Sequence, residues 1–386
     1  MSDKTAFQPP ATIGILGGGQ LGRMLALEAR RCGYRVAIFT DEATGCPAGQ
    51  IADWEVNARY DDTEALDSFL ARVDVVTVEF ENIPDACLSY VEARKPLRPG
   101  RNAVFTTQHR EREKLFLRSQ NIPCAPFQIV EDLAGLERAV AGLGRPCVVK
   151  TAAFGYDGKG QAKIGPESEL ADVWSGFEGH HAVVEQWVPF VMEVSVVGAR
   201  AVDGSTATHG VVENIHDRHI LDVTLAPARV TPAIEKQALA LWESVAQGLQ
   251  YVGTMAVEMF VTAEGKVLVN EIAPRPHNSG HYTIDACVTN QFQQQLRAVT
   301  GQKLGSPRQH SPAVMLNLLG EVWPSETRQP DWTPVLSHPE AKLHLYGKQL
   351  AKLRRKMGHI TVLGATADAA LAEARKLQGL LGSRTA

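Results

Sequence analysis

Thr12 to Leu16 is a short apolar run that stops at a cluster of glycines, Gly17-Gly18-Gly19-Gln20-Leu21-Gly22, and a segment with helical spacing departs from there. A strand that turns through glycine directly into a helix constrains a chain strongly, because the next strand must return parallel beside the first. In the helical segment Leu21, Met24, Leu25 and Ala29 share one face, and Gly33 follows as a stop. Arg35 to Thr40 reads as a second strand, Glu64 to Val73 as a second amphipathic helix and Asp74 to Phe80 as a third strand. This β-α-β-α-β alternation predicts a parallel sheet with helices on both faces, ending near Pro99-Gly100.

Gly17, Gly19 and Gly22 spell G-x-G-x-x-G, and Asp41 and Glu42 stand about 20 residues on, so a dinucleotide fingerprint is formally met. Backbone N–H groups ahead of a helix also suit other phosphate ligands, and glycines also serve plain turns. The loop alone leaves all three open.

With 386 residues the chain exceeds what one core supports, so two or three domains are expected. A net charge of -4 gives no general pull toward nucleic acid or an anionic membrane. The six cysteines are scattered without a C-x-x-C pair, the usage of a reducing compartment. Residues 1–10 are polar with two prolines, which argues against a signal peptide or membrane span; a cytoplasmic location is expected.

From Pro146 short strand-like runs (Cys147 to Thr151, Ala162 to Ile164, Ala182 to Gln186, Glu193 to Ala199) alternate with glycine-rich turns, an antiparallel α+β pattern. A helix is expected from Ala233 to Leu249, and a small α/β region from Pro312. Lys150 ends an apolar strand just before Gly155-Tyr156-Asp157-Gly158-Lys159-Gly160-Gln161. Such a hairpin can close over a polyphosphate, with Lys150 as a point charge. Further on, a two-residue turn at Glu264-Gly265 would set Glu258 directly opposite Glu271 in apolar strands. Like charges in that position destabilise a sheet, so either a divalent cation lies between them, or one strand is bulged or one glutamate solvated. Asn270 adds a neighbouring oxygen, and few protein ligands plus phosphates suit Mg²⁺.

Lys150 with its hairpin, the run VVEQWV (Val183 to Val188), Glu193 and the Glu258/Asn270/Glu271 group resemble the ATP-grasp superfamily. Its members activate a carboxylate as an acyl phosphate. More narrowly, GILGGGQLGRM, TVEFENIP, GYDGKGQ, NEIAPRPHNSGH and KLRRKMGHI resemble the N5-carboxyaminoimidazole ribonucleotide synthetases of purine biosynthesis, with motifs running from residue 14 to residue 360. The resemblance implies an ATP-grasp fold, α/β and α+β. It would comprise a Rossmann-like N-terminal domain (1–108), an ATP-grasp region (109–305, with a lid at about 125–190) and a small C-terminal domain (306–386). It further implies carboxylation of 5-aminoimidazole ribonucleotide using ATP and bicarbonate, with Mg²⁺ or Mn²⁺, in a homodimer.

By the same resemblance Arg110 and Lys150 meet the ATP phosphates under the hairpin Gly155, Tyr156, Asp157, Gly158, Lys159, Gly160 and Gln161. Glu185, Gln186, Trp187 and Val188 form an adenine hinge, Glu193 holds the ribose, and His216, Asn270 and Glu271 complete the nucleotide site. Glu258 and Glu271 hold the metal. Gln20, Leu21, Glu79, Asn82, Tyr156, Asp157, His277 and Asn278 face the ribonucleotide, and Lys348 and Arg355 hold its phosphate. Lys150, Asp157 and Arg275 carry the chemistry, Arg275 by positioning a planar oxyanion and Asp157 by orienting the amine.

Overall fold

The computed structural model describes residues 6–153, 160–177 and 181–382. The N-terminal unit comprises β1 (Thr12–Leu16), α1 (Gln20–Arg31), β2 (Arg35–Thr40), β3 (Trp54–Asn57), α2 (Thr63–Leu70), β4 (Val75–Val78) and α3 (Asp85–Glu92). Its four strands are all parallel, in the order β3-β2-β1-β4. The parallel sheet matches expectation; the sequence reading does not include the edge strand β3, only four residues long and nowhere fully buried. Leu21, Met24 and Leu25 of α1 cover one face of the sheet over Ile13, Ile15, Val36 and Ile38. Leu66 and Phe69 of α2 and Leu88 of α3 cover the other.

Helices α4 (Arg101–Thr107) and α5 (Arg110–Ser119) lead to a second sheet. It is built from β5 (Phe127–Val130), β6 (Cys147–Thr151), β7 (Gln161–Ile164) and β8 (Ala182–Gln186), antiparallel in the order β5-β8-β6-β7. Between the strands, α6 (Leu133–Leu143) and α7 (Leu170–Ser175) pack Leu136, Ala139 and Trp174 onto Val149 and Val184.

The remainder is organised by one eight-stranded sheet. Its first strands are β9 (Phe190–Arg200), β10 (Thr206–Asp217), β11 (Ile220–Ala226), β12 (Gly253–Thr262) and β13 (Val267–Ala273). Helix α8 (Pro232–Gly248) starts where the Thr231 hydroxyl accepts the Ile234 N–H, with proline in the first turn. It buries Trp242 and Val245 against Val196, Met255 and Val257. Then come α9 (Thr283–Ala286), α10 (Gln291–Val299), β14 (Ala313–Leu319), α11 (Thr333–Leu336), β15 (Ala341–Leu345), β16 (Lys356–Leu363) and α12 (Ala367–Leu381). The order is β13-β12-β9-β10-β11-β14-β16-β15, so the C-terminal strands extend the same sheet. Among the described residues no helix is long and apolar enough to cross a membrane.

Helix α10 ties these parts together. Asn290 caps it in a reciprocal capping box with Gln293. Phe292, Leu296 and Val299 complete the core beneath the N-terminal sheet. Its polar Gln291, Gln294 and Gln295 are completely buried as well.

Candidate active site

In the structure Glu258 stands opposite Glu271, as expected, but by a different route. The turn is not two residues long: the Thr262 N–H donates to the Lys266 carbonyl at 2.9 Å and the Gly265 N–H to the Thr262 carbonyl at 2.9 Å. That closes a three-residue loop, with Gly265 at φ 74°. The register then sets Met259 opposite Val269, and a bulge at Asn270 restores the Glu258–Glu271 pair. A bulge leaves ladder groups without strand partners, and α5 supplies them. Lys114 Nζ donates to the Asn270 carbonyl at 3.1 Å, and Glu113 Oε2 accepts the Ile272 N–H at 2.9 Å.

The carboxylates crowd one another. Burial and then Glu271 push Glu258 up to about 7, and the same two causes push Glu113 up to about 8. Two carboxylates forced together in this way suit a hard divalent cation. Among the described residues no three His, Cys, Asp or Glu side chains form a closed metal cage. A cation held here would take its remaining ligands from a bound molecule or water.

Beside this pair lies a cavity of about 320 Å³ between the four-stranded and eight-stranded sheets. Its lining includes Arg110, Lys150, Gln161, Glu185, Gln186, Trp187, Val188, Glu193, His216, Glu258, Asn270, Glu271, Arg275, His277 and Asn278, named from the sequence, together with Glu81, His219, Lys356 and apolar residues that were not. Lys150, on β6, reaches Glu185 at 3.0 Å, and the buried Lys114 reaches the same carboxylate at 3.3 Å. Burial opposes ionisation of Glu185, but the two ammonium groups win and hold it at about 2. Its side chain is thus a counterion for two lysines. The Gln186 and Trp187 N–H groups donate to the carbonyls of Pro126 and Pro146. Phe190 and Phe260 stack at 4.5 Å beyond the hinge. Glu193 accepts from His216 at 3.1 Å; burial lowers His216, and the carboxylate outweighs it so that the net displacement is upward.

Arg110 opens α5, its N–H fixed to the Ala152 carbonyl at 2.7 Å. Its Nε is buried without a hydrogen-bond partner, as are both amide atoms of Asn278. Polar atoms left unpaired at a cavity wall are available to a bound molecule or to water. The guanidinium of Arg275 forks onto Glu81, with one arm at 3.0 Å. Sequence reasoning missed Glu81 although the motif EFENIP contains it, and it missed the buried Glu113 and Lys114.

His277 Nε2 lies 3.3 Å from Glu258 Oε1. Its Nδ1 receives the Ser279 N–H at 3.3 Å, which leaves the ring proton on Nε2, facing Glu258. Ser279 Oγ lies 2.9 Å from the same Nδ1. Behind it Ser195 donates to Ser279 (2.8 Å), Asn214 to Ser195 (2.9 Å) and Thr224 to Asn214 (3.0 Å), a buried chain in which every donor points toward His277.

The ribonucleotide candidates divide. Asn82 lines a recess of about 40 Å³ that shares Glu81, Arg110 and Glu271 with the main cavity. Glu79 is buried and accepts the N–H groups of Gly19 (2.9 Å) and Gly22 (3.2 Å). The glycine loop therefore wraps a carboxylate of its own chain rather than presenting an empty anion nest. Gly17 sits at φ 109°, where an added Cβ would come 2.6 Å from Glu79 Cγ. Of the adjoining residues, Gln20 is half-buried at the start of α1. The Leu21 side chain belongs to the core, so only its backbone can meet a ligand. Lys348 and Arg355 lie outside the cavity lining. Lys348 Nζ donates to the Lys356 carbonyl at 2.8 Å, and burial and then Arg355 bring it down to about 8. Gly155, Tyr156, Asp157, Gly158 and Lys159 fall outside the described residues. Gly160 is at φ 68°, its carbonyl receiving the Thr151 N–H at 2.7 Å.

Residues 115–292 match the ATP-grasp domain family, residues 10–108 the ribonucleotide synthetase preATP-grasp domain, and residues 313–373 the phosphoribosylaminoimidazole carboxylase C-terminal domain. The chain is 43% identical over 365 residues to the N5-carboxyaminoimidazole ribonucleotide synthase of Bacillus subtilis, covering 95% of this chain and 94% of that one. A crystal structure of an ADP complex of an N5-carboxyaminoimidazole ribonucleotide synthetase superposes with a TM-score of 0.91 at 42% identity, covering 97% and 98% of the two chains. The Aspergillus clavatus synthase crystallised with ADP and 5-aminoimidazole ribonucleotide superposes with a TM-score of 0.86 at 30% identity, covering 96% and 98%.

Proposed function

The chain belongs to the N5-carboxyaminoimidazole ribonucleotide synthase family of ATP-grasp ligases, and from that premise we propose the following reaction for it. Bicarbonate attacks the γ-phosphate of ATP, ADP leaves, and the carboxyphosphate formed delivers its carboxyl group to the exocyclic amine of 5-aminoimidazole ribonucleotide, releasing phosphate. The observation that carries this reading is the gathering, in one cavity, of the cations Lys150 and Arg110 with the carboxylates Glu258 and Glu271, Arg110 Nη2 lying 3.9 Å from Glu271 Oε2. Phosphoryl transfer needs both.

In this scheme Gln186 to Val188 hold the adenine, with Phe190 and Phe260 beside it. Glu193, paired with His216, accepts from the ribose hydroxyls. Lys150 exchanges Glu185 for phosphate oxygens, and Arg110 satisfies its Nε on the same group. Arg275, oriented by Glu81, receives the bicarbonate oxyanion. Glu258 and Glu271 would hold Mg²⁺, or Mn²⁺, with Asn270 beside them; that ion supplies charge neutralisation on the phosphates. The glycine-rich stretch Gly155 to Gly160 would exclude water from the short-lived acyl phosphate, and Asp157 would orient the amine. Gln20, Leu21 (through its backbone), Glu79, Asn82, Tyr156, His277 and Asn278 surround the ribonucleotide, and Lys348 and Arg355 take its phosphate.

We divide the chain at 1–108, 109–305 and 306–386, and place it in the cytoplasm as a homodimer. The scattered free cysteines support the location, and the family resemblance the dimer. The deciding experiment measures ADP release with bicarbonate plus 5-aminoimidazole ribonucleotide, against formate plus glycinamide ribonucleotide. Turnover only with the first pair is expected; turnover only with the second overturns the assignment.

A further inference from the structure

The run Gln291-Phe292-Gln293-Gln294-Gln295 reads as a polar, solvated helix start, yet Gln291, Gln294 and Gln295 are fully buried. Burying three primary amides is costly unless each finds partners, and each holds a different piece of backbone. Gln295 Oε1 accepts the Thr254 N–H at 2.5 Å, and its Nε2 donates to the Thr77 hydroxyl at 2.9 Å. Gln294 grips Gly305 on both sides, accepting its N–H at 2.9 Å and donating to its carbonyl at 2.7 Å. Gln291 grips His277 in the same two-handed way: Oε1 accepts the His277 N–H at 2.9 Å and Nε2 donates to the His277 carbonyl at 2.8 Å. Its second Nε2 proton goes to His281 Nδ1, at 2.9 Å. The backbone of Gln291 is fixed too, its N–H on the Thr283 hydroxyl at 3.0 Å and its carbonyl under the Thr254 hydroxyl at 3.0 Å.

We propose that Gln291 is a positioning residue of the reaction: through the main chain of His277 it fixes the imidazole that faces Glu258, and with it the adjoining wall of the cavity. The side chain of His277 is oriented from behind by the Thr224–Asn214–Ser195–Ser279 chain, and Gln291 fixes the backbone from which that side chain hangs. Displacement of a catalytic wall by about 1 Å suffices to cost roughly a hundredfold in rate. This inference rests on the activity proposed above. It adds that the amide of Gln291 must both donate and accept, which a purely space-filling role does not require.

Gln294 provides the control, because it makes the same clamp on a loop away from the cavity. Four variants are compared with the wild type for ADP release and thermal stability: Gln291→Leu, Gln294→Leu, Gln291→Glu and Gln294→Glu. Gln291→Leu is expected to lose kcat by roughly 10- to 100-fold while KM for ATP stays within about threefold, because the hinge and ribose contacts lie on other strands. Gln294→Leu is expected to lose stability to a similar extent and keep kcat. In Gln291→Glu one carboxyl oxygen faces two acceptors, the His277 carbonyl and His281 Nδ1, so the group must be protonated to fit. The ratio of its kcat to that of the wild type should fall as pH rises from 6 to 8.5, whereas the ratio for Gln294→Glu should stay flat. The glutamate variant also keeps the inference testable if the leucine variant does not fold. Wild-type kcat in Gln291→Leu, equal kcat losses in both leucine variants, or flat ratios in both glutamate variants would overturn it. A wild type inactive with bicarbonate and 5-aminoimidazole ribonucleotide would instead refute the proposed function.

Discussion

Replacing Glu185 by glutamine removes the one carboxylate shared by Lys114 and Lys150, at 3.3 and 3.0 Å. Its cost can be worked in two ways. Glu185 is held at about 2 against an ordinary 4.5, a displacement of roughly 2.5 pKa units, or about 3 kcal/mol. Removing one partner from a buried ion pair independently costs about 3–5 kcal/mol. The two agree, so a loss of about 3 kcal/mol is expected in urea unfolding at pH 7. The pH dependence has a definite sign. The folded pKa lies below the unfolded one, so the stabilisation is complete above about 4.5 and disappears as pH falls toward 2. The difference between wild type and variant should therefore be constant from pH 6 to 8 and shrink only in acid. Lys114 also holds the Asn270 carbonyl, so amide exchange at residues 270–272 should accelerate in the variant. Introducing Lys150→Met first should reduce the cost of the glutamine substitution, since the two share an interaction. A loss below about 1 kcal/mol at pH 7, with unchanged exchange at the bulge, would refute the counterion role.

Glu271→Gln is expected to lower kcat by roughly 100-fold or more while calorimetric affinity for 5-aminoimidazole ribonucleotide stays unchanged; near-normal turnover would remove the metal role. Lys348→Ala should raise KM for the ribonucleotide by roughly 10- to 150-fold, about 1.5–3 kcal/mol of charged hydrogen bonding. Because Lys348 is brought down to about 8, wild-type KM should also rise above pH 8 as that cation is lost, and a flat KM profile would place the phosphate elsewhere. His209 is buried and lowered to about 4 from an ordinary 6.5. The unfolded chain therefore takes up its proton first as pH falls, costing the native state about 3 kcal/mol between pH 6.5 and 4. His209→Leu should flatten that acid slope in urea titrations, and identical slopes would show that another group titrates.

Much of this was legible in the residues. β1 and β2 fall where the apolar runs put them, and α1 begins at Gln20, directly after the run Gly17-Gly18-Gly19. The cavity gathers the motif residues that local chemistry and family resemblance had singled out. What escaped depended on distant partners. The Glu258–Glu271 pairing was expected from a turn that does not form; a longer loop and a bulge offset each other, and the bulge exists because Glu113 and Lys114 from α5 accept and donate where the ladder fails. Those two charges sit in a helix whose sequence, Arg110-Glu111-Arg112-Glu113-Lys114, reads as solvated. Nothing local distinguishes the buried Lys114 from the half-buried Arg110, Glu111 and Arg112 until Glu185 is brought to it from β8. The glutamines of α10 escaped for the same reason, since their partners lie on four other segments. Glu79 was anticipated at a strand end facing ligand, whereas its capture by Gly19 and Gly22 could be seen only once β1 and β4 were paired.

The eight-stranded sheet also bears on how this enzyme can be cut or recombined. Because β14 is laced to β11 by four residue pairs, Ala226–Ala313 through Val223–Leu316, the stretch from residue 313 onward forms a seam rather than an appendage. A chain severed ahead of residue 313 would bare the flank of β11 as a raw, sticky margin. Any chimera that borrows this tail from a relative has to bring a strand that fits those rungs, or it will clump before its chemistry can be judged.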